Sequence, residues 1–402
     1  MPQPVIVAGA RTPIGKLLGS LAARPAPALG GIAIEAALAR AGIAGQQVDA
    51  VLMGNVVQAG AGPNPARLAA ARGGIPMSVP ATTINKLCLS GLAAIAQAAW
   101  QITLGYGQVV VAGGMESMSN APYLLRDTRR GLRYGGGEPI EDALDSDALV
   151  CGFDGLPMGA ATDQYLARLG GITRRDQDEF AAESHARALA AVKDGRLGEE
   201  IVAVSKTGGD GGSIVEQDEG IRPGSTAERL ARLPAAFSPD GTITAGSASQ
   251  LSDGGCAVVV MDRDEAERLG LPWLAEIGGY GTVAGPDPAL LLQPANAIRD
   301  AIRRDAQGRD CAPGIEDLDL IEINEAFAGV ALASIRDLGA PRDRVNVNGG
   351  AIALGHPVGM SGARLVLTLA LELRRRGGGT GAAALCGGGG QGDALILRVR
   401  PE

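Results

Sequence analysis

The chain is poor in the residues that build metal sites and basic surfaces. It has two histidines among 402 residues, and its five cysteines are odd in number and lack zinc-type spacing. The net charge of −8 argues against non-specific binding to nucleic acid or to a membrane surface. No apolar run reaches the length of a membrane span. We therefore expect no metal cofactor, no nucleic-acid partner and no membrane partner.

Aromatic residues are also scarce. They make up 3% of the chain while hydrophobic residues make up 46%, so the core consists mainly of Ala, Val, Leu and Ile. The N-terminus enters an apolar strand at once and shows no signal-peptide pattern. Unpaired thiols without such a signal predict a cytoplasmic location.

Glycine, in contrast, is abundant. The 61 glycines form short clusters between apolar runs and do not recur at every third position. This distribution excludes a collagen-like chain. It favours a tightly packed α/β protein in which backbones approach each other closely.

The two halves of the sequence resemble each other at a nearly constant offset of about 270 residues. Three pairs of segments match in the same order: Asp49–Gly60 with Asp319–Gly329, Ser90-Gly91 with Ser361-Gly362, and Val111–Gly114 with Leu385–Gly388. The pattern predicts two copies of one α/β unit.

Each copy reads as buried strands alternating with helices. Val5–Val7, Val48–Met53 and Val109–Ala112 lack polar alternation, as strands covered on both faces do. Apolar residues at helical spacing predict a buried helix near 89–105, with Ala363–Arg375 as its partner. We expect these two helices to lie between two sheets.

The segment 118–246 interrupts the first copy. It is richer in charge and contains one clear helix, which Thr173 caps and which runs to Lys193. We expect an N-terminal half of residues 1–117 plus about 247–271, a ligand-binding loop domain of residues 118–246, and a C-terminal half of residues 272–402.

Cys88 lies at the predicted start of the helix near 89–105. Free amide groups and the helix dipole at that position would lower the pKa of the thiol and favour a nucleophilic thiolate. Most free cysteines are instead small buried hydrophobic residues, and position alone leaves both interpretations open.

His356 precedes a proline and follows a glycine, so it lies on a loop at the entrance to the second helix. By the repeat, this loop corresponds to the Cys88 turn, and the two could supply a nucleophile and its base. A hydrogen-bonded loop histidine is the alternative. The other histidine, His185, lies in a charged helix, and we expect it to be solvated.

Cys386 ends an apolar strand and begins a run of four glycines. A phosphate loop is disfavoured because neither a lysine nor a helix pattern follows. The backbone amides of Gly387 and Gly388 suit an oxyanion hole better. Asn324 begins the turn after strand Leu320–Ile323, where its amide could hold a water or carbonyl, or could simply cap the turn.

Taken together, these segments resemble the thiolase family over essentially the whole chain. The similar segments are Val7–Gly15, Asn85–Gly91, Val111–Ser119, Thr244–Gly254, Asn324–Ala328, Asn346–Pro357 and Cys386–Gly392. The resemblance implies a five-layered αβαβα fold of two pseudo-repeats with an inserted loop domain.

It also implies an acetyl-CoA C-acetyltransferase that condenses two acetyl-CoA molecules to acetoacetyl-CoA and coenzyme A. By the resemblance, Cys88 is the acylated nucleophile, His356 its base and Cys386 the acid/base at the α-carbon. Asn324 would position a water that forms one oxyanion hole with His356. The amides of Cys88 and Gly388 would form the other.

The resemblance further implies the substrate contacts and the assembly. Ser249, Met158 and Arg222 match positions that contact coenzyme A, the Arg126–Arg133 cluster is a weaker candidate, and Phe327 lines the acyl end. The implied assembly is a homotetramer or homodimer, and Val109–Ala112 is a candidate for pairing across a two-fold axis. No cofactor is implied, because coenzyme A thioesters are substrates.

One departure concerns the loop domain, where several biosynthetic members carry histidine and this chain has Pro157. The departure bears on substrate length. The nearest alternative is a degradative 3-ketoacyl-CoA thiolase of longer chain length. Two further alternatives are a thiolase-like lipid carrier, which would not need all three reactive residues, and a Cys–His thioesterase or amidase, which would not need a second cysteine.

Overall fold

A computed structural model describes residues 2–401 except 133, 136, 138, 206–212 and 307–313. The strands of the described residues are β1 Pro4–Arg11, β2 Gly15–Lys16, β3 Ala50–Gly54, β4 Ala81–Ile84, β5 Val109–Ser117, β6 Tyr123–Leu125, β7 Ile140–Asp142, β8 Val204–Ser205, β9 Ile214–Val215, β10 Ser252–Asp262, β11 Ala275–Ala284, β12 Leu320–Ile323, β13 Gly379–Gly387 and β14 Gln391–Val399. The α-helices are α1 Ala26–Ala41, α2 Pro65–Arg72, α3 Ser90–Thr103, α4 Met158–Leu169, α5 Arg174–Lys193, α6 Ala227–Leu230, α7 Arg263–Arg268, α8 Gln293–Asp305, α9 Ala328–Leu338, α10 Ala351–Leu354 and α11 Ser361–Arg375.

The strand order confirms the internal repeat. In the first half the order is β1-β10-β5-β3, with β4 added at the edge, and in the second half it is β11-β14-β13-β12. In each half the first two pairings are antiparallel and the third is parallel. The strands β1, β10, β5 and β3 therefore correspond to β11, β14, β13 and β12.

Both faces of each half are covered by helices, which explains the lack of polar alternation. Along β5, Val109 and Val111 pack into one apolar cluster and Val110 and Ala112 into another, because successive side chains point to opposite faces. The cluster shared by both halves contains α3 and α11, which contact each other. Helices α1 and α2 cover the outer face of the first half, and α8 and α9 cover that of the second. The layers are therefore αβαβα.

The two halves of the sheet are joined, which the sequence analysis did not predict. Val5 pairs with Glu276 and Ile6 with Ala275, so β1 and β11 connect the halves into one ten-stranded sheet. The join pairs backbone groups that would otherwise lie at two strand edges.

The expectation that Val109–Ala112 pairs across a two-fold axis is wrong. This segment belongs to β5, which is hydrogen-bonded to β10 on one side and to β3 on the other. It therefore has no free edge for a second chain.

The inserted segment carries the predicted helix, α5. The Thr173 hydroxyl accepts from the Asp176 N–H, and the Asp176 carboxylate accepts from the Thr173 N–H. After the inserted segment the chain forms β10, which lies between β1 and β5 in the sheet. Within the described ranges, no helix is long and apolar enough to cross a membrane.

Candidate active site

Cys88 lies in a tight turn between β4 and α3. Leu87 adopts a left-handed conformation, with φ 52°, which is uncommon for a residue other than glycine. The Asn85 side chain accepts from the Leu87 N–H at 3.0 Å. The hydroxyl of Ser90, the first residue of α3, accepts from the Lys86 N–H at 2.8 Å and donates to the Leu87 carbonyl at 2.6 Å. These bonds hold the backbone so that Cys88 stays partly exposed.

The expected lowering of the Cys88 pKa is wrong. Burial of the thiol raises its pKa to about 11, and the nearby Glu116 acts in the same direction. The N–H groups of Cys88 and Gly388 favour the thiolate but do not offset the loss of solvent. At neutral pH the resting side chain is therefore the thiol.

His356 lies on the loop between α10 and α11, as predicted, and its imidazole is buried. Its Nδ1 lies 2.5 Å from the hydroxyl of Ser361, and its Nε2 lies 3.3 Å from the side-chain nitrogen of Asn324. The Ser361 hydroxyl donates to the Pro357 carbonyl at 2.9 Å. We therefore assign the ring proton to Nδ1, which leaves Nε2 as the basic nitrogen.

The surroundings keep this imidazole neutral. Burial lowers the pKa of His356 to about 4, and the positive charge of Arg364 acts in the same direction. A neutral ring with its free electron pair on Nε2 can accept a proton from a thiol.

Asn324 follows β12 and is fully buried. Its N–H donates to the Ala384 carbonyl at 2.9 Å, which fixes the turn against β13. Its side-chain nitrogen faces His356, while its Oδ1 is buried without a hydrogen-bond partner among the described residues. A buried acceptor of this kind is suited to hold a water or a substrate group.

Cys386 lies next to the end of β13 and is 1% exposed. Burial raises the pKa of its thiol well above the ordinary range, and the neighbouring Cys88 acts in the same direction. Gly388 opens the turn between β13 and β14, where its N–H reaches the Cys88 sulfur. A Cβ on Gly388 would lie 2.7 Å from the end of the Met158 side chain and 2.8 Å from the end of the Leu87 side chain, so a larger residue here would have to displace both.

Lys86 ties the Cys88 turn to the strand beside Cys386. Its ammonium group donates to the buried carboxylate of Asp393 at 2.7 Å and to Thr282 at 2.9 Å. Asp393 pairs with Leu385, the residue before Cys386. The two cysteines are thus fixed by one charged link as well as by the backbone.

A cavity of about 410 Å³ opens onto His356 and has mostly apolar walls. Three of the predicted substrate contacts, Met158, Ser249 and Phe327, line it. The rings of Phe327 and Phe237 meet edge to face with centroids 5.8 Å apart. The other lining residues are Met118, Asp145, Leu149, Pro157, Gly159, Ala236, Phe237, Ala245, Ala248, Gln250, Leu251 and Val358.

The predicted cationic contacts Arg222 and Arg126 do not line this cavity. Arg222 is exposed, and its guanidinium donates to Gln250, a wall residue, at 3.3 Å. Arg126 is exposed and paired with Glu141. Arg133 lies outside the described residues.

The expectation that His185 is solvated is wrong. The residue is 5% exposed, and its Nδ1 accepts from the Arg222 N–H at 3.2 Å. Burial lowers its pKa to about 4. The charged neighbours in sequence lie on other faces of the helix, so the local pattern did not reveal this contact.

Two residues of the site were not predicted from the sequence to have a role: Ser361, which holds the ring of His356, and Glu116, which accepts the N–H of Gly359 in the same loop. A signal for Glu116 exists, because an acidic residue within the apolar strand β5 needs buried donors.

Comparison with known proteins gives one consistent result. The family profile described as "Thiolase, N-terminal domain" matches residues 4–264, and "Thiolase, C-terminal domain" matches residues 271–399. A "Probable acetyl-CoA acetyltransferase" of Mycolicibacterium smegmatis is 56% identical over 98% of this chain and 100% of its own length. An "Acetyl-CoA acetyltransferase" of Pseudomonas aeruginosa is 47% identical over 99% of both chains. A "Probable acetyl-CoA acyltransferase" of Staphylococcus aureus is 42% identical over 93% of both.

Proposed function

Because the chain belongs to the thiolase family and is an acyltransferase, we propose that it catalyses the reversible condensation of two acetyl-CoA molecules to acetoacetyl-CoA and coenzyme A. The observation that carries this proposal is the position of two neighbouring thiols beside the apolar cavity that the neutral imidazole of His356 lines. Cys88 and Cys386 belong to apolar clusters whose other members include residues of the cavity wall. Ser249, Met158 and Phe327 would contact the coenzyme A thioester along the cavity.

The first step is the acetylation of Cys88. Nε2 of His356 takes the thiol proton as sulfur attacks the acetyl carbonyl. The oxyanion is stabilised by the N–H groups of Cys88 and Gly388. Cys386, a thiol at rest, gives its proton to the departing coenzyme A sulfur. The products of this step are acetyl-Cys88, free coenzyme A, a Cys386 thiolate and a protonated His356.

The second step forms the carbon–carbon bond. The Cys386 thiolate removes a proton from the methyl carbon of a second acetyl-CoA. A water held by Asn324 Oδ1, together with His356, stabilises the enolate oxygen. The carbanion attacks acetyl-Cys88, and the released Cys88 sulfur regains its proton from His356. Each group returns to its resting state.

Intact-mass analysis after brief incubation with acetyl-CoA tests the first step. We expect one acetyl group on the wild-type chain and none on the Cys88→Ala variant. Cys386→Ser should still form some acetyl-enzyme but should not condense two acetyl-CoA molecules. An unchanged label on Cys88→Ala, or near-normal condensation by Cys386→Ser, would contradict the assigned roles.

A preference for short acyl groups is part of the proposal. Phe327, Met158 and Met118 wall the cavity, and overpacking a rigid site costs about 1–3 kcal/mol. A six-carbon 3-ketoacyl-CoA should therefore be cleaved roughly tenfold more slowly than acetoacetyl-CoA. Equal or faster cleavage of eight- to sixteen-carbon substrates would support the degradative thiolase instead.

We further propose that the protein assembles as a homodimer or homotetramer. Pairing between chains would require an edge strand, and within the described residues β3 is the only strand that pairs with β4. Light scattering that shows an active monomer at assay concentration would contradict this proposal. The division into residues 1–117 plus about 247–271, 118–246 and 272–402 also stays a prediction.

A further inference from the structure

Glu116 carries a buried carboxylate that accepts four hydrogen bonds near the end of β5. Its Oε1 accepts from the Asn55 side chain at 2.7 Å and from the Val57 N–H at 3.2 Å. Its Oε2 accepts from the N–H groups of Val56 and Gly359, each at 2.9 Å. No cation is among its partners in the described part of the chain. Burial raises the pKa of Glu116 to about 7, while the four donors favour its ionised form.

These four donors belong to two loops from different halves of the repeat. Asn55, Val56 and Val57 follow β3 in the first half. Gly359 lies in the second half, between His356 and Ser361. Since His356 carries the imidazole and Ser361 holds it, Glu116 fixes the middle of a loop whose two ends position the base.

Gly359 is also held from its other side. Its carbonyl oxygen would lie 1.9 Å from a Cβ on Gly114 and 2.9 Å from a Cβ on Gly91, near the start of α3. A Cβ on Gly359 itself would lie 2.6 Å from the Met115 carbonyl. The contact admits no side chain, so the position of the Gly359 peptide group is fixed by its backbone neighbours.

The same loops surround the nucleophile. Val56 and Val57, whose N–H groups bond Glu116, form an apolar cluster with Val358, and Cys88 packs against it. The carboxylate therefore connects the apolar surroundings of Cys88 with the loop of His356.

We infer that Glu116 is a positioning residue that keeps the His356 loop in register with Cys88 during acetyl transfer. The inference rests on the proposed function and goes beyond it, since Glu116 itself does not line the cavity. A carboxylate has two acceptor oxygens and no donor, which suits four converging N–H groups.

The test substitution is Glu116→Gln, which keeps the shape of the side chain. Its NH₂ group must replace one of the two oxygens, and each of these faces two N–H donors. Single-turnover acetylation by acetyl-CoA, followed by intact mass, should slow by at least about thirtyfold, because small misplacements of reacting groups are costly. The KM for coenzyme A in acetoacetyl-CoA cleavage should change less than about twofold, because the proposed coenzyme A contacts Met158, Ser249 and Phe327 are not among the partners of Glu116.

Two further variants separate positioning from general stability. Glu116→Asp keeps both acceptor oxygens and should recover acetylation to within about tenfold of wild type. Asp163→Asn is the matched control, because Asp163 is a buried carboxylate that accepts from Thr242 and Ile243, all uncharged donors. It should lower thermal stability without slowing acetylation of the folded fraction.

Acetylation of folded Glu116→Gln at the wild-type rate would overturn the inference, as would equal losses in Glu116→Gln and Asp163→Asn. If Glu116→Gln does not fold, Asn55→Ala removes one of the four donors. Its acetylation should then fall severalfold at unchanged KM, and a full rate would overturn the inference. Failure of the proposed function is distinct, because the wild-type chain itself would then not be acetylated.

Discussion

The turns before α3 and α11 occupy equivalent places in the two halves but hold their reactive side chains in opposite ways. In the first, Ser90 bonds the backbone at Lys86 and Leu87, and Cys88 is held by no side-chain hydrogen bond among the described residues. In the second, Ser361 bonds the imidazole itself. The hydroxyl at the first residue of each helix donates to a backbone carbonyl in both copies. The Ser90 hydroxyl accepts from a backbone N–H, whereas the Ser361 hydroxyl accepts from the imidazole and so fixes its tautomer.

The difference follows from what each group does in the proposed reaction. The Cys88 sulfur must be free to exchange its proton for an acyl group. Its orientation is therefore set by the backbone and by nearby N–H groups rather than by a side-chain hydrogen bond. A base that returns a proton to its source needs one fixed ring orientation. The two turns have equivalent positions in the repeat, and they differ in the reactive residue that each carries, which is Cys88 in the first and His356 in the second.

Removal of the base should have the largest effect on the difference between the two turns. His356→Asn keeps a polar group of similar reach to Asn324 but lacks a basic nitrogen. We expect acetylation of Cys88 to slow by about 10²- to 10⁴-fold, which is the usual contribution of a positioned base. Rapid-quench intact mass measures this rate. Acetylation within tenfold of wild type would show that the thiol loses its proton by another route.

The second prediction concerns the resting thiol of Cys88. A pKa raised to about 11 means that the thiolate fraction keeps growing through pH 9 and above. Alkylation by iodoacetamide without substrate should therefore rise about tenfold per pH unit from pH 7 to pH 10. N-acetylcysteine is the control and should level off near its ordinary pKa. A plateau for Cys88 below pH 8 would contradict the raised pKa and support the helix-start argument.

A smaller effect on the rate is expected when either serine hydroxyl is removed. Ser361→Ala and Ser90→Ala each remove a hydroxyl that makes about 1 kcal/mol of net hydrogen bonding. Both variants should lose similar stability in denaturant unfolding. We expect Ser361→Ala alone to lower kcat by about tenfold, because its loss frees the imidazole to rotate or change tautomer. Equal kcat losses in the two variants would remove the proposed difference between the turns.

The smallest effect is expected outside both turns. Arg222 is exposed, and an exposed charge contributes about 1 kcal/mol or less to binding. Arg222→Ala should raise the KM for coenzyme A severalfold at low salt and leave kcat unchanged. Arg175→Ala is the control, since Arg175 is an exposed arginine of the same inserted segment and is paired with Glu179. Equal KM values for both variants would place the phosphate contact elsewhere.

The features that the sequence predicts correctly depend on local pattern. The buried strands, the start of α3 and the cap of α5 at Thr173 follow from apolar spacing and from cap chemistry. The resemblance adds the arrangement of the layers. The roles of Cys88, His356 and Cys386, which the resemblance implies, stay predictions.

What the sequence misses depends on contacts between distant segments. The helix start alone predicts a lowered Cys88 pKa, but residues from several loops remove solvent from the thiol and reverse the sign. His185 is buried, and its ring accepts from the backbone N–H of a residue 37 positions away in the sequence. The pairing of β1 with β11 joins positions about 270 residues apart, which no local pattern encodes.

The glycine contact around Gly359 also limits how this molecule can move. Where two backbones touch without an intervening side chain, one half cannot slide or rotate against the other without a collision. We therefore expect any opening of the cavity to a ligand to come from the inserted segment, whose residues Met158 and Phe237 line the cavity. We expect the two halves to behave as one rigid body and conformational changes to be confined to the inserted segment.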